Sequence, residues 1–173
     1  MAEMILRPNS DDHRSDVAIV NGSTMYGVMD EAVLDTGDYI RADYRTNGSF
    51  VCGFEQSGLP PATVINSVTF YYNTLNNATH FLHKYRLSGG GYNLPSVEIS
   101  LVSGTLYRIV LTENPETGMA WTVSDVDSMC HGGLIVMPNK GSSTYVYQFY
   151  AVVDYTAPLI SKRRTLTLTG CGQ

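Results

Sequence analysis

Histidines, a Cys–His pair and clustered carboxylates are the residues of this chain with chemistry to offer another molecule. His80 and His83 lie three apart in a stretch that reads as strand, so they project to opposite faces and cannot share a metal; the metalloprotease arrangement needs helical i, i+4 spacing. Cys130 and His131 are a nucleophile and a base, but adjacent residues rarely converge, and the following Gly132-Gly133 reads as a turn. Ser15, Ser88 and the other serines lie in no Gly-x-Ser-x-Gly elbow. Asp30, Glu31, Asp35 and Asp38 form one acidic group, and Asp11, Asp12 and Asp16 another. Calcium takes roughly six to eight oxygens from such loops, yet EF-hand spacing is absent and solvated turns explain both groups. A glycosidase pair of carboxylates leaves no linear signature, and nothing here points to one. The expectation is a chain with no catalytic residue, no cofactor and no metal site.

The elements that would position such residues are mostly strands. One stretch departs from that pattern, Asn114-Pro115-Glu116-Thr117-Gly118-Met119-Ala120-Trp121-Thr122, which holds the single Trp. Asn114-Pro115 opens a turn, Gly118 supplies a positive-φ position, and Trp121 is expected to plug the core. Ser124 is expected to cap a short helix, with Asp125 and Asp127 in its first turn, where the helix dipole favours negative charge.

Elsewhere the hydrophobic period is two. Met4 to Arg7 reads as a first strand, Pro8 to Asp16 as a polar loop, and Val17 to Val20 as the next strand. Residues 38–44 alternate and turn through Thr46-Asn47-Gly48 into Ser49 to Glu55 as a hairpin. Thr63 to Thr74 and Thr79 to Leu87 follow, and Val97 to Val102 is expected to pair with Thr105 to Leu111 through Ser103-Gly104. After the Trp turn come Leu134 to Met137 and the longest strand, Thr144 to Tyr155. There Tyr145, Tyr147, Phe149, Ala151, Val153 and Tyr155 are assigned to one face and Val146, Tyr150 and Val152 to the other, so both faces are apolar. About eight to ten strands separated by Gly, Pro and Asn turns predict an all-β fold, an antiparallel β-sandwich of jelly-roll type with one short helix after the Trp turn.

The domain expected is residues 1–157, with residues 158–173 as a C-terminal strand or arm. In that tail Thr165 to Thr169 alternates strictly, so Leu166 and Leu168 belong either to a last strand of the same sheet or to an arm adding to a neighbouring subunit. Lys162-Arg163-Arg164 reads as a solvated basic segment.

The 173 residues suffice for one domain with a core burying roughly two-thirds of its extended surface. Only 16% are charged, against a usual figure of about 25%, which suggests contact area hidden in the assembled state. Twelve Tyr suit strands and interfaces alike. A net charge of -5 argues against nucleic-acid binding. No apolar run reaches the roughly 18 residues of a membrane span, and the opening residues lack the features of a signal peptide, so synthesis in a cytoplasm is expected. Cys52, Cys130 and Cys171 suggest neither a disulfide framework nor a zinc site.

Several landmarks occur in order over residues 4 to 157: Ile5-Leu6-Arg7-Pro8-Asn9-Ser10, Asp35-Thr36-Gly37-Asp38-Tyr39-Ile40, Ile65-Asn66-Ser67-Val68-Thr69-Phe70, the Asn114-Pro115 to Thr122 turn, Asp125-Val126-Asp127, and Tyr147 to Tyr155. Together they resemble a β-sandwich domain common in virion proteins of tailed bacteriophages and prophages. The resemblance implies a non-enzymatic structural subunit of the virion, made in the host cytoplasm. Such a subunit would pack on itself and on other virion proteins of a capsid or tail lattice, with no nucleic acid or membrane as partner. On that reading Tyr145, Tyr147, Tyr150, Leu166 and Leu168 are the interface candidates, and a homo-oligomer is expected. The alternative is a carbohydrate-binding module of a fibre or spike, with Tyr71, Tyr72, Tyr92 and Tyr107 as a stacking platform and loop carboxylates for calcium.

Overall fold

The computed structural model of the chain describes residues 1–30, 36–43, 47–75, 80–93, 98–99, 106–136 and 143–158. Its strands are β1 (Ala2–Leu6), β2 (Pro8–Ser15), β3 (Val17–Val20), β4 (Tyr39–Ala42), β5 (Gly48–Phe54), β6 (Val64–Leu75), β7 (His80–Arg86), β8 (Tyr92–Asn93), β9 (Glu98–Ile99), β10 (Leu106–Leu111), β11 (Glu113–Asn114), β12 (Met119–Ala120), β13 (Cys130–Val136) and β14 (Thr144–Thr156). A 3-10 turn covers Tyr26–Val28, and the helix α1 covers Val123–Ser128.

All pairings are antiparallel. One sheet runs β10-β6-β14-β4-β3 with β1 also on β14, and the other runs β2-β5-β13-β7-β8 with β9 also on β7. The chain therefore changes sheet from β1 to β2, from β2 to β3, from β4 to β5, from β5 to β6, from β6 to β7, from β9 to β10 and from β13 to β14, which is the jelly-roll order. This corrects two expected hairpins. Residues 38–44 and 49–55 do not pair with each other, since β4 lies on β14 and β5 on β13; likewise β9 pairs with β7 while β10 pairs with β6. A sandwich lets sequence-adjacent strands lie in opposite layers, each turned toward the shared core, instead of pairing as a hairpin.

Pro8 to Ser15, expected as a polar loop, is the edge strand β2 on β5. An edge strand exposed on one side tolerates Pro, Asp and Arg, which is why its sequence looks like a loop. Its register on β5 shifts twice, between Pro8 and Ser10 and between Asp11 and His13.

The longest strand is β14, as expected, but its faces are not those of strict alternation. Its register on β6 shifts between Val146 and Gln148 and again between Asp154 and Tyr155. The first irregularity puts Val146 into the core with Phe149, Ala151 and Val153, while Tyr145 and Tyr147 pack on Tyr39, with ring centroids 4.9 and 5.2 Å apart. The second does the same to β6, burying Ile65 and leaving Val64 exposed. One extra residue in a ladder inverts every side chain beyond it, so a single phase cannot describe either strand.

The core is aromatic. Phe50, Phe54, Phe70, Tyr72, Phe81 and Phe149 meet across the two sheets, mostly edge-on or tilted, as ring quadrupoles prefer. In β13, Gly132 and Gly133 have no room for a side chain: a Cβ on Gly132 would overlap the Phe50 carbonyl, and one on Gly133 would overlap the Phe81 ring. The expected turn at Gly132-Gly133 is thus a strand centre, where close approach of backbone and ring replaces side chains.

The Trp turn forms as expected. Gly118 has φ +67 and its N–H donates to the Asn114 carbonyl at 2.8 Å, while the Glu116 N–H donates to Asn114 Oδ1 at 2.9 Å. Trp121 is 4% exposed, and its indole N–H donates to the Leu111 carbonyl at 3.1 Å. The helix cap is Thr122, not Ser124: Thr122 Oγ1 accepts from the Asp125 N–H, and the Asp125 carboxylate accepts from the Thr122 N–H in a capping box. Asp127 does not serve the helix dipole. It accepts from the Ser57 N–H and hydroxyl, both at 2.7 Å, tying α1 to the loop after β5.

Candidate functional site

Strand alternation in β7 turns Phe81, His83 and Tyr85 inward, and β13 lays His131 beside Tyr85 and Gly133 beside His83. From the opposite sheet Tyr72 reaches across. Its hydroxyl lies 2.5 Å from His83 Nδ1 and donates to the Gly132 carbonyl at 3.0 Å, and His83 Nε2 lies 2.8 Å from His131 Nδ1. A buried chain of three polar side chains thus spans the sandwich, with the Phe70 ring stacked on His131 at 4.4 Å. Burial pulls the His83 pKa down to about 3, and burial with the His83 neighbour holds His131 well below the ordinary value. Burial pushes the Tyr72 phenol upward, so all three are neutral near pH 7.

His131 also forms part of the wall of a cleft of about 160 Å³ at one end of the sandwich. Tyr85, Trp121, Met129 and Cys130 supply its other walls, and Arg86, Ser88, Asn114, Glu116, Asp125 and Ser128 gather around them. Several of these groups are held in place. Glu116 Oε1 accepts from the Ser88 N–H at 2.6 Å, and hydrogen bonds from Ser88 hold its carboxyl below the usual range, so it is an anion near pH 7. Arg86 donates to Asp12 at 2.6 Å, and its side chain remains 45% exposed. The Tyr85 hydroxyl donates to the Pro115 carbonyl and accepts from Asn93. The cleft therefore sets two aromatic walls beside two carboxylates, Glu116 and Asp125, and the Arg86 guanidinium, each held by hydrogen bonds.

The acidic loop residues Asp11, Asp12 and Asp16 are engaged by groups of the protein itself. Both oxygens of Asp11 accept backbone N–H groups, from Met25 and Tyr26; Asp12 takes Arg86 and Tyr92; Asp16 takes Ser15. Glu31 and Asp35 lie outside the described residues. Among the described residues no group of three or more His, Cys, Asp or Glu is placed to hold a metal ion.

The four tyrosines of the expected stacking platform are scattered. Tyr72 is fully buried, which removes it from any surface; Tyr107 is half-buried against the core. Tyr71 stacks on Tyr150 at 4.9 Å on the outer face of the first sheet. Tyr92 lies over the outer face of the second, against His13 at 4.5 Å and under Lys84 Nζ, with its hydroxyl donating to Asp12. Of the interface candidates, Tyr145 and Tyr150 are half-buried, and Tyr147 is buried against Tyr39 and Tyr145. Leu166 and Leu168 lie outside the described residues.

The outer face of the first sheet does carry an open strip. Register places Val110, Thr69, Val152 and Ile5 in one row across β10, β6, β14 and β1, beside the row Arg108, Tyr71 and Tyr150. Val110 and Ile5 are each 52% exposed.

The cleft itself was not legible beforehand. Its residues come from β7, the Trp turn, α1 and β13, and only the topology joins them. Neither a known family model nor a curated protein matches this chain. Among solved structures, one that it is similar to is a Family 16 Carbohydrate Binding Module-2, at TM-score 0.41 and 10% identity over 79% of this chain and 84% of that one.

Proposed function

We propose that this protein is a non-catalytic carbohydrate-recognition module that seats one sugar ring in the cleft beside Trp121 and Tyr85. The observation that carries this reading is the pairing of aromatic walls with Glu116 and Arg86, each already positioned by a hydrogen bond, to Ser88 and Asp12 respectively. A pyranose has an apolar C–H face and a rim of hydroxyls. Aromatic walls suit the first, and a carboxylate with a guanidinium suits the donors and acceptors of the second. The volume lies below the roughly 300 Å³ of an ordinary drug-sized pocket, which favours a single ring over a long chain segment. On this reading recognition needs no calcium, because the cleft carboxylates Glu116 and Asp125 are already held by hydrogen bonds from the protein. A glycan array run with and without chelator tests this. A chelator-insensitive hit that disappears in Glu116→Gln supports the reading, and silence in every condition removes it.

A second reading rests on the open strip of the first sheet. Exposed Val110 and Ile5, with stacked Tyr71 and Tyr150, suit a repeated structural subunit that packs on copies of itself or on other proteins of a tailed-phage capsid or tail. Size-exclusion with light scattering distinguishes it: a defined oligomer favours lattice packing, and a monomer at high concentration opposes it.

A further inference from the structure

The buried chain bears on what the cleft can bind. Tyr72 has one hydroxyl proton and two neighbours, the Gly132 carbonyl and His83 Nδ1. If that proton goes to Gly132, His83 must carry its own proton on Nδ1 to donate to the Tyr72 oxygen. His83 Nε2 is then a lone pair, and His131 Nδ1–H donates to it. Three hydrogen bonds are made. If instead the Tyr72 proton goes to His83 Nδ1, the chain reverses, His83 Nε2–H donates to His131 Nδ1, and the Gly132 carbonyl loses its Tyr72 donor. That order makes only two, and in a buried site a forfeited hydrogen bond is costly.

We infer that Tyr72 and His83 act as positioning residues that lock His131 in the Nδ1–H tautomer, so that the one ring atom left for the cleft, Nε2, is a hydrogen-bond acceptor for a ligand hydroxyl. The tautomer follows from the buried geometry alone; its role toward a hydroxyl rests on the sugar reading above. His131 lines the cleft beside Trp121 and Tyr85, and its ring's only hydrogen bond among the described residues is the one to His83. With the Glu116 and Asp125 carboxylates it gives the cleft three acceptor groups beside the Arg86 guanidinium, a balance that selects for a hydroxyl-bearing ligand over a carboxylate-bearing one.

Long-range proton–nitrogen NMR of the imidazole rings in the full chain decides the matter, since four histidines keep the spectrum assignable. His83 and His131 should each show a protonated Nδ1 and a bare Nε2, and Tyr72→Phe should release them into a tautomer mixture. Should that variant not fold, the wild-type spectrum still decides. A protonated Nε2 on His131 overturns the inference even if a sugar binds. Adding the sugars retained on the array should move the His131 Nε2 resonance while the tautomer holds. A fixed Nδ1–H tautomer with no sugar able to move Nε2 sustains the lock and counts against the sugar reading alone.

Discussion

His83 and His131 face each other nitrogen to nitrogen at 2.8 Å in the middle of an otherwise aromatic core, so a single proton is shared between the two facing atoms. The rings can take up one further proton only at buried cost, and a second would place two N–H groups against each other.

Acid should therefore loosen the fold before any carboxyl titrates. The unfolded chain protonates both rings as pH falls through about 6.5, whereas the folded chain resists until far lower, about 3 for His83. More protons on the unfolded side mean that the stability these two rings contribute is fully present above pH 7 and is lost as pH falls between about 6.5 and 4.5. The slope approaches about 2 to 3 kcal/mol per pH unit when both protons are withheld. Urea unfolding at a series of pH values measures it; a flat profile down to pH 5 would show that one or both rings are charged or exposed in the native state.

Gly133→Ala should be among the most damaging of small substitutions. Its Cβ must displace the Phe81 ring, an overpacking cost of about 1 to 3 kcal/mol or more. Gly90→Ala meets no neighbour but keeps a φ of +78, so its penalty is backbone strain alone, of roughly 1 to 2 kcal/mol. Thermal melts of the two compare a packing constraint with a conformational one.

Thr122→Ala removes one arm of the capping box and should lower stability by about 1 kcal/mol, whereas Ser124→Ala, on the exposed side of α1, should change little. Equal effects in denaturant titrations would mean that the helix start is misplaced.

Glu116→Gln and Arg86→Ala should each weaken sugar binding about tenfold or more while leaving the melting temperature near wild type, because both side chains lie at the surface end of the cleft. Calorimetric titration with the array's best ligand reads the loss. A parallel drop in melting temperature would instead mark these groups as structural.

The all-β class, the long last strand and the Trp turn could be read from residue order, because each depends on local chemistry: alternation, the Asn114-Pro115 opening and the glycine at 118. Strand partners could not, since a jelly roll separates sequence neighbours into opposite layers. The irregular ladder at Tyr147 was equally silent, for nothing local distinguishes an extra residue from strict alternation. His83 was readable in part, because it shares a phase with Phe81 and Tyr85. Its partner was hidden by Gly132-Gly133, which resemble a turn until the Phe50 backbone and Phe81 ring are seen to need their space. The cleft was beyond reach, since Arg86, Glu116, Asp125 and His131 meet only when four segments are folded together.

The most direct test uses Trp121, the single Trp, as a reporter built into the cleft wall. Its indole N–H gives one NMR peak, fixed by the Leu111 carbonyl. If the cleft recognises sugar, titrating the array ligand shifts that peak together with the amides of Ser88 and Glu116, saturably and with chelator present. An unmoved indole while resonances of Tyr71 and Tyr150 shift, or no shift anywhere, contradicts the account.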